Sequence, residues 1–354
     1  MAKIKVGIAG AGQMGTAIAW AMQELGYDLI ILDRQENSLY KCQKFLSSKH
    51  KFVRSTLFQC LKGCEIVISS LPFHQNLSLA RFCVSEGINY CDLGGNIEIS
   101  QSINRFGKNK AANIIMTDLG LAPGWANIIT EHMYQEYQSK HNGPPNNIEM
   151  MVGGLPQHPN NTLRYSCTWS YDGLVNEYRD RCIVLMHGEQ VIVNGMDGYE
   201  FPIDTDIGPL EGFYTSGGAA HTIATMKNRG VLNCSYKTLR YHQHHKMANF
   251  LIHESGLDDQ AIIEIFKKTC PPQDDLVIIQ IRVDDLFFEK IIKSDSRFSG
   301  MQKATAFPIA AAAHIISISD IGREVLKYSD LNYPQFNKSL DQLFEASTLL
   351  TKES

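Results

Sequence analysis

Three glycines and an aspartate near the start of the chain have the types and spacing that bind a dinucleotide. Gly10, Gly12 and Gly15 fit the pattern G-x-G-x-x-G, and Asp33 follows Gly10 by 33 − 10 = 23 residues. The first glycine permits a tight turn, the second admits a pyrophosphate to the backbone, and the third lets the next helix pack closely. The acidic residue accepts hydrogen bonds from ribose hydroxyls. The spacing predicts nicotinamide dinucleotide binding, and the alternative is a chance glycine cluster.

A strand, a helix and a second strand must position these residues. Apolar residues alternate from residue 4 to residue 8, an alanine-rich run follows Gly15, and residues 29–32 form a second apolar strand. This order of strand, glycines, helix and strand is a more specific signal of dinucleotide binding than the glycines alone. The predicted cofactor-binding residues lie in the glycine loop, at the end of the second strand and at the end of a later strand: Gly10, Gly12, Gln13, Met14, Gly15, Asp33, Arg34, Ser70, Leu71 and Pro72.

The residue pair Asp33 and Arg34 bears on the choice of cofactor. A carboxylate repels the 2′-phosphate of NADP, whereas a nearby arginine can hold that phosphate. The pair therefore predicts NAD, and NADP stays open because of Arg34.

Composition and charge exclude several classes of partner. The chain has 354 residues, a net charge of −4 and 20% charged residues, which gives no electrostatic case for nucleic acid or an anionic membrane. We expect no signal peptide and no membrane-spanning segment, because no apolar run has the required length. Nine cysteines without a C-x-x-C pair predict reduced thiols and a cytoplasmic protein.

Metal binding is not predicted. Cys60 and Cys64 have the spacing of one helix face, but no His or Cys lies near them in sequence. His242, His244 and His245 do not share one helix face and have no acidic or Cys neighbour. Buried thiols and hydrogen-bonding imidazoles are the interpretations that we favour.

Strands and helices continue to alternate after Asp33, which predicts an open parallel sheet. The next three predicted strands carry Ser69, Asp92 and Asp118 at or near their ends. The carboxyl ends of parallel strands line the ligand crevice of such a sheet. We therefore expect these three side chains to share one rim with the glycine loop.

The pattern changes after a proline-containing turn at residues 141–147. A mixed α+β region with antiparallel character is predicted there, with His187-Gly188-Glu189 as a hairpin turn. Its predicted strands are 148–152, 182–186, 190–193, 277–283 and 287–292. From Lys303 the chain becomes helical again.

Several blocks from Asp92 onward resemble the saccharopine dehydrogenase-like family, which includes saccharopine reductase and lysine 6-dehydrogenase. The matching blocks, in the order of the family, are Asp92–Asn96, Asp118–Gly124, Gly153–Pro156, Thr168–Tyr178, Glu211–Gly218, Tyr236–Tyr241 with His244, and Met301 with Ala304–Phe307. One departure is that the Arg-Tyr-Pro-Gly-His run of the family reads Arg240-Tyr241-His242-Gln243-His244 here.

The resemblance implies a fold and a domain division. We expect a Rossmann dinucleotide-binding domain at 1–122, an inserted α+β domain for substrate binding and dimerisation at 123–302, and C-terminal helices at 303–354 that complete the Rossmann domain. It also implies a homodimer and a small amino-acid substrate.

Two carboxylates at the rim are candidates for the group that accepts a proton in the reaction. Oxidation of an amine to an imine releases a proton and a hydride, and a carboxylate can accept that proton. Asp118 is the first candidate and Asp92 the second. The alternative for each is an Asp that caps its loop by accepting backbone N–H bonds.

The substrate-binding residues are predicted around an arginine, because a guanidinium holds a carboxylate with two parallel hydrogen bonds. Arg240 is the first candidate, and a surface arginine is the alternative. The other candidates are Arg164, Lys237, His244 and Trp169.

The sequence thus predicts an NAD(P)-dependent oxidoreductase that acts on a C–N bond of an amino acid, of the lysine 6-dehydrogenase or saccharopine dehydrogenase type. The first alternative is a reductase of the saccharopine or carboxynorspermidine type, which joins an amine to an aldehyde. The second is a non-catalytic NAD-binding protein on the same fold.

Overall fold

The structure is a computed structural model that describes residues 4–47, 49–110, 113–319, 322 and 324–349. The chain divides into two units, Met1–Ile128 with Gln302–Ser354, and Ile129–Met301. The elements up to residue 140 are β1 (Lys5–Ala9), α1 (Gln13–Glu24), β2 (Asp28–Asp33), α2 (Glu36–Gln43), β3 (Lys51–Arg54), a 3₁₀ turn (Phe58–Leu61), β4 (Ile66–Ser69), α3 (Phe73–Glu86), β5 (Asn89–Asp92), α4 (Ile97–Lys110), β6 (Ile115–Met116) and α5 (Trp125–Lys140).

The first unit contains a six-stranded parallel sheet with the order β3-β2-β1-β4-β5-β6. The order reverses between β1 and β4, and open sheets of this kind bind ligands at that point. Ala9 of β1 pairs with Ser69 of β4, which pairs with Asp92 of β5. The strand ends therefore share one rim, as predicted, and Asp118 follows β6 at the same edge.

The second unit is built on a mixed sheet. Its elements are β7 (Asn147–Pro156), α6 (Tyr171–Arg179), β8 (Cys182–Met186), β9 (Glu189–Val193), β10 (Glu200–Ile203), β11 (Leu210–Tyr214), α7 (Thr222–Asn228), β12 (Asn233–Tyr241), α8 (His244–Asn249), a π-helical turn (Phe250–Glu254), α9 (Asp259–Thr269), β13 (Asp275–Val283) and β14 (Leu286–Lys293).

The sheet of the second unit has the order β10-β11-β12-β7-β13-β14, and β8 pairs with both β12 and β9. Only the β12–β7 pair is parallel among the described strands of this sheet. The predicted hairpin between β8 and β9 is confirmed, and its turn residues His187 and Gly188 both have positive φ, 50° and 82°. Such angles are typical of a type I′ turn.

Two helices close the chain, α10 (Gly300–Ile318) and α11 (Tyr333–Leu349). Phe307 of α10 packs on Trp20 of α1 at 5.5 Å between ring centroids and on Phe344 of α11 at 5.3 Å. Phe344 also packs on Trp125 at 5.7 Å. The C-terminal helices therefore complete the first unit, which confirms the predicted fold class.

No helix within the described residues is long and apolar enough to cross a membrane.

Candidate active site

The glycine loop between β1 and α1 leaves room for a ligand at one position only. Gly10 has φ +99°, and a Cβ there would lie 2.8 Å from the Ser70 carbonyl oxygen. A Cβ at Gly15 would overlap the Gly10 carbonyl oxygen. In contrast, a Cβ at Gly12 would meet nothing within 4 Å. Gly10 and Gly15 thus serve the turn and the close packing of the helix, and Gly12 leaves open space.

This open space lies at the N-terminus of α1, which begins after Gly12. The first N–H groups of a helix have no partner within the helix, and together with the helix dipole they favour an anion. Gln13 and Met14 form the first turn of α1, and both are at least partly exposed. The loop therefore fits a pyrophosphate.

Asp33 lies at the end of β2, beside the same loop. Its Oδ2 accepts the Ala11 N–H at 2.7 Å and its Oδ1 accepts the Gln35 N–H at 2.8 Å. Each carboxylate oxygen can accept a second hydrogen bond, so Asp33 still fits a ribose with two hydroxyls. Arg34 is exposed next to it. The arrangement accommodates a nicotinamide dinucleotide.

The predicted residues of the later strand end lie beside the glycine loop. Ser70, Leu71 and Pro72 connect β4 to α3, and the Ser70 N–H donates to the Ala9 carbonyl oxygen at 2.8 Å. The structure thus brings together all ten predicted cofactor-binding residues along one edge of the sheet.

Asp92 and Asp118 form a buried pair at the rim. Asp92 Oδ1 accepts the backbone N–H groups of Asp118 at 3.1 Å and of Gly94 at 2.8 Å, and its Oδ2 accepts the Tyr90 hydroxyl at 2.9 Å. The Asp118 carboxylate accepts the Ser100 hydroxyl at 2.7 Å. The Asp92 carboxylate therefore holds the two loops at the ends of β5 and β6 together, and the Asp118 carboxylate contacts α4.

Burial shifts the protonation of this pair. Burial and the neighbouring Asp92 carboxylate raise the pKa of Asp118 to about 7. Burial also raises the pKa of Asp92, although its hydrogen bonds with Asp118, Tyr90 and Gly94 oppose the change. Like charges at close range cannot both ionise easily, so the pair holds a proton more readily than isolated aspartates do.

Arg240 lies near the end of β12 in the second unit and is 3% exposed. Its Nε donates to the Tyr178 hydroxyl at 2.8 Å, and its Nη1 donates to the Leu239 carbonyl oxygen at 2.9 Å. The guanidinium also lies over the Tyr165 ring, 4.6 Å from its centroid. Among the described residues Nη2 has no hydrogen-bond acceptor, which leaves one side of the guanidinium for a ligand.

His244 lies behind Tyr178 and not at a surface open to a substrate. It is 0% exposed, its Nδ1 contacts the Leu163 carbonyl oxygen at 2.7 Å, and its Nε2 contacts the Tyr178 hydroxyl at 2.9 Å. Burial and Arg240 lower the pKa of His244 to about 3. The imidazole is therefore neutral: Nδ1–H donates to the carbonyl, Nε2 accepts the Tyr178 hydroxyl, and Tyr178 in turn fixes Arg240.

The other predicted substrate-binding residues divide between two places. Trp169 joins the Arg240 cluster, since its Nε1 donates to the Tyr165 hydroxyl at 3.1 Å. Arg164 is exposed. Lys237 lies on the opposite face of β12 from Arg240 and pairs with Glu200 and, at 3.7 Å, with Glu149.

A cavity of about 600 Å³ lies at the start of α8 in the second unit. Its lining includes Glu211, whose carboxylate accepts the N–H groups of Gln243, at 2.9 Å, and of His245. Gln243 has φ +80°, at the position where the family motif has glycine.

The sequence alone did not assign a role to Glu211, Tyr178 or Glu177, although all three lie within the blocks that carried the resemblance.

The parallel sheet, the open glycine loop and the acid at the end of β2 define a dinucleotide-binding protein of the Rossmann class. Comparison with family models identifies the family within this class. The model described as the saccharopine dehydrogenase NADP binding domain matches residues 6–118, and the model of the saccharopine dehydrogenase C-terminal domain matches residues 120–343. The chain belongs to the saccharopine dehydrogenase family, which supports an NAD(P)-dependent oxidoreductase.

One solved structure shares the fold at low sequence identity. The chain is similar to apo saccharopine dehydrogenase (L-Glu forming) from Saccharomyces cerevisiae, with 13% identity, 96% of each chain covered and a TM-score of 0.71. A myo-inositol dehydrogenase from Corynebacterium glutamicum matches with 10% identity, 99% of this chain and 96% of that chain covered, and a TM-score of 0.45.

Proposed function

We propose that the protein oxidises a C–N bond of an amino acid with a nicotinamide cofactor, as lysine 6-dehydrogenase and saccharopine dehydrogenase do. The observation that supports this most directly is Arg240, a buried guanidinium with one free side among aromatic rings. Family membership adds the reaction class. A carboxylate is the group that such an arginine binds best.

We assign a role to each part of the site. The cofactor, when bound, supplies the hydride acceptor. The glycine loop holds its pyrophosphate, and Asp33 holds its ribose hydroxyls, which favours NAD over NADP. Arg240 binds the substrate carboxylate, with Trp169 and Tyr165 as aromatic walls. Asp118 accepts the proton that leaves the amine, because its pKa of about 7 suits a base at neutral pH.

The test is an assay with purified protein, NAD or NADP, and a panel of amines that includes L-lysine and saccharopine. The absorbance of the nicotinamide measures reduction of the cofactor. We expect reduction with an amino acid but not with the corresponding amine that lacks the carboxylate. If no amino acid reduces either cofactor, and no amine–aldehyde pair oxidises the reduced cofactor, the proposal is wrong.

The homodimer, the cytoplasmic location and the roles of Arg164, Lys237 and Asp92 stay predictions from the sequence.

Asp33 gives a prediction about the choice of cofactor. Replacing Asp33 with serine removes the charge that repels a 2′-phosphate, so the preference should move toward NADP by about tenfold or more. Steady-state kinetics with both cofactors measure the ratio. Asp33→Asn is the control, because it removes the charge but keeps an acceptor for the Ala11 N–H. A wild-type protein that already prefers NADP clearly would show that Arg34 decides the choice.

Asp118 gives a prediction about pH. Because the carboxylate form accepts the proton, kcat for oxidation should rise as the pH increases through about 7. Asp118→Asn should lower kcat by about 100-fold and flatten this profile. Kinetics from pH 5.5 to about 9 measure both effects.

A structural role for Asp118 predicts a different result. The folded state binds the Asp118 proton more tightly than the unfolded state, so this contribution to stability is present at acid pH and is lost as the pH rises toward about 7. Asp118→Asn would then keep a near-native kcat, and only the pH dependence of its unfolding temperature would become weaker. That outcome would contradict the catalytic assignment.

A further inference from the structure

The backbone at Asp118 is held in an unusual conformation by contacts on both of its sides. Asp118 has φ 62°, in the left-handed region that residues other than glycine rarely adopt. Its N–H donates to Asp92 Oδ1 at 3.1 Å, and its carbonyl oxygen accepts the Tyr328 hydroxyl at 2.8 Å. Such conformations persist only where the surroundings fix them, and they cluster at functional sites. The remaining freedom of Asp118 therefore lies in its side chain.

Ser100 contacts the Asp118 carboxylate from the beginning of α4. Asn96 fixes the start of this helix, because its Oδ1 accepts the Ile99 N–H at 3.0 Å and its carbonyl oxygen accepts the Ser100 N–H at 3.1 Å. The Ser100 hydroxyl donates to Asp118 Oδ1 at 2.7 Å, and Ser100 is 6% exposed. A buried hydroxyl on an anchored helix thus holds one oxygen of the carboxylate.

Gly94 lies against the same oxygen. A Cβ at Gly94 would overlap Asp118 Oδ1, so only a glycine lets the carboxylate come this close to the loop after β5. Gly94 has φ +78°, which glycine adopts without strain. Oδ1 is therefore enclosed between the Ser100 hydroxyl and the Gly94 backbone, and Oδ2 is the oxygen that remains for a substrate.

Oδ2 is held less tightly than Oδ1. It accepts the Thr117 hydroxyl at 3.2 Å, but the same hydroxyl also contacts Asn104 Oδ1 at 3.4 Å. A hydroxyl has one proton to donate, so Thr117 shares it between two acceptors. In the part of the chain that the structure describes, the Ser100 hydroxyl has a single acceptor, Asp118 Oδ1. Ser100 therefore fixes the carboxylate, and Oδ2 keeps the capacity to accept a further proton.

We infer that Ser100 is the positioning residue of the proposed base: its hydroxyl holds Oδ1 of Asp118 and so directs Oδ2 toward the proton that leaves the substrate nitrogen. The inference rests on the proposed function and deepens it. In that reaction the substrate C–H bond gives a hydride to the oxidised nicotinamide, and the N–H bond gives its proton to Oδ2. Ser100 keeps its own proton throughout.

Loss of the Ser100 hydroxyl should change the pH dependence of the reaction. Burial and the Asp92 carboxylate raise the pKa of Asp118 to about 7, and the hydrogen bond from Ser100 opposes them by stabilising the ionised form. In Ser100→Ala the midpoint of the kcat profile should therefore rise by about one pH unit. At neutral pH kcat should fall about fivefold and should recover at alkaline pH, with little change in KM.

Two further variants test whether the hydroxyl itself is responsible. Ser100→Thr keeps a hydroxyl at this position and should restore the wild-type midpoint. Ser102→Ala is the matched control, because Ser102 lies on the same helix and its hydroxyl donates to the Glu98 carbonyl oxygen at 2.8 Å. The kinetics of this control should equal those of the wild type. The unfolding temperature of each variant shows whether it is folded.

Infrared spectroscopy of the full-length protein follows the Asp118 proton without turnover. The C=O stretching band of a protonated carboxyl group that is absent in Asp118→Asn belongs to Asp118. Its titration midpoint should be about 7 in the wild type and about one pH unit higher in Ser100→Ala. An unchanged midpoint overturns the role of Ser100, whichever substrate the protein oxidises.

The outcomes separate this inference from the proposed function. If Asp118→Asn flattens the pH profile but Ser100→Ala keeps the wild-type midpoint, or loses the same fraction of kcat at every pH, the assignment of Ser100 is wrong and the proposed function stands. If Asp118→Asn keeps a near-native kcat, Asp118 is not the base, and the role of Ser100 is overturned with it.

Discussion

In the Gly12→Val variant, dinucleotide affinity should fall by about 100-fold or more while the protein stays folded. The reason is that a side chain at Gly12 would extend into open space, where it meets no protein atom within 4 Å. That space is the one in which a pyrophosphate would contact the N-terminus of α1. Losing two charged hydrogen bonds, each worth about 1.5–3 kcal/mol, accounts for the size of the effect.

Gly15→Val is the matched contrast to this variant. A Cβ at Gly15 overlaps the Gly10 carbonyl oxygen, so valine there should lower the unfolding temperature as well as the affinity. Calorimetric titration with NAD and NADP, together with thermal unfolding, separates the two cases. An unchanged affinity in folded Gly12→Val protein would remove this loop from the cofactor site.

The first unit could be predicted well because its signals are local. Alternating apolar residues, the glycine spacing and the acid at the end of β2 all lie within one strand–helix–strand segment. Parallel strands bring their carboxyl ends to one edge, so the meeting of Ser69, Asp92 and Asp118 followed from strand direction alone. Strand β3, in contrast, was not predicted, because its four residues begin and end with exposed Lys51 and Arg54.

The substrate cluster could be predicted only in part, since it depends on contacts between distant segments. Lys237 and Arg240 are three residues apart on one strand, and successive side chains of a strand alternate between its faces. Their side chains therefore lie on opposite faces of the sheet, which the resemblance alone did not reveal. Tyr178, which supports Arg240, is 62 residues away from it and 66 residues away from His244. No periodicity in the sequence encodes such pairings.

Arg240→Ala should lower kcat/KM for the amino-acid substrate by about 30- to several-thousand-fold. Removing one partner of a desolvated, charged hydrogen bond costs about 2–5 kcal/mol, and each 1.4 kcal/mol corresponds to a tenfold change. The substrate would lose its carboxylate contact and also its orientation, so both KM and kcat should change. Cofactor affinity should stay the same, because the glycine loop and Asp33 belong to the first unit.

The loss of a buried side chain requires its own control. Alanine at this position removes one donor to the Leu239 carbonyl oxygen and one donor to the Tyr178 hydroxyl, which should cost about 1–3 kcal/mol of stability. Arg240→Lys keeps the charge but not the fork of parallel donors, so it should give an intermediate loss of activity. Arg181→Ala removes an exposed arginine from the same unit and should leave the kinetics unchanged.

The comparison of these variants decides where the substrate binds. A folded Arg240→Ala protein with unchanged NAD affinity and a large loss of kcat/KM is the expected result. Near-native kinetics in that variant would move the carboxylate site away from the Tyr165–Tyr178 cluster. A loss of the same size in Arg181→Ala would instead show that the substrate responds to the overall charge of the second unit. Because Arg240 is held by Tyr178 and His244, Tyr178→Phe should reproduce part of the loss without removing any charge.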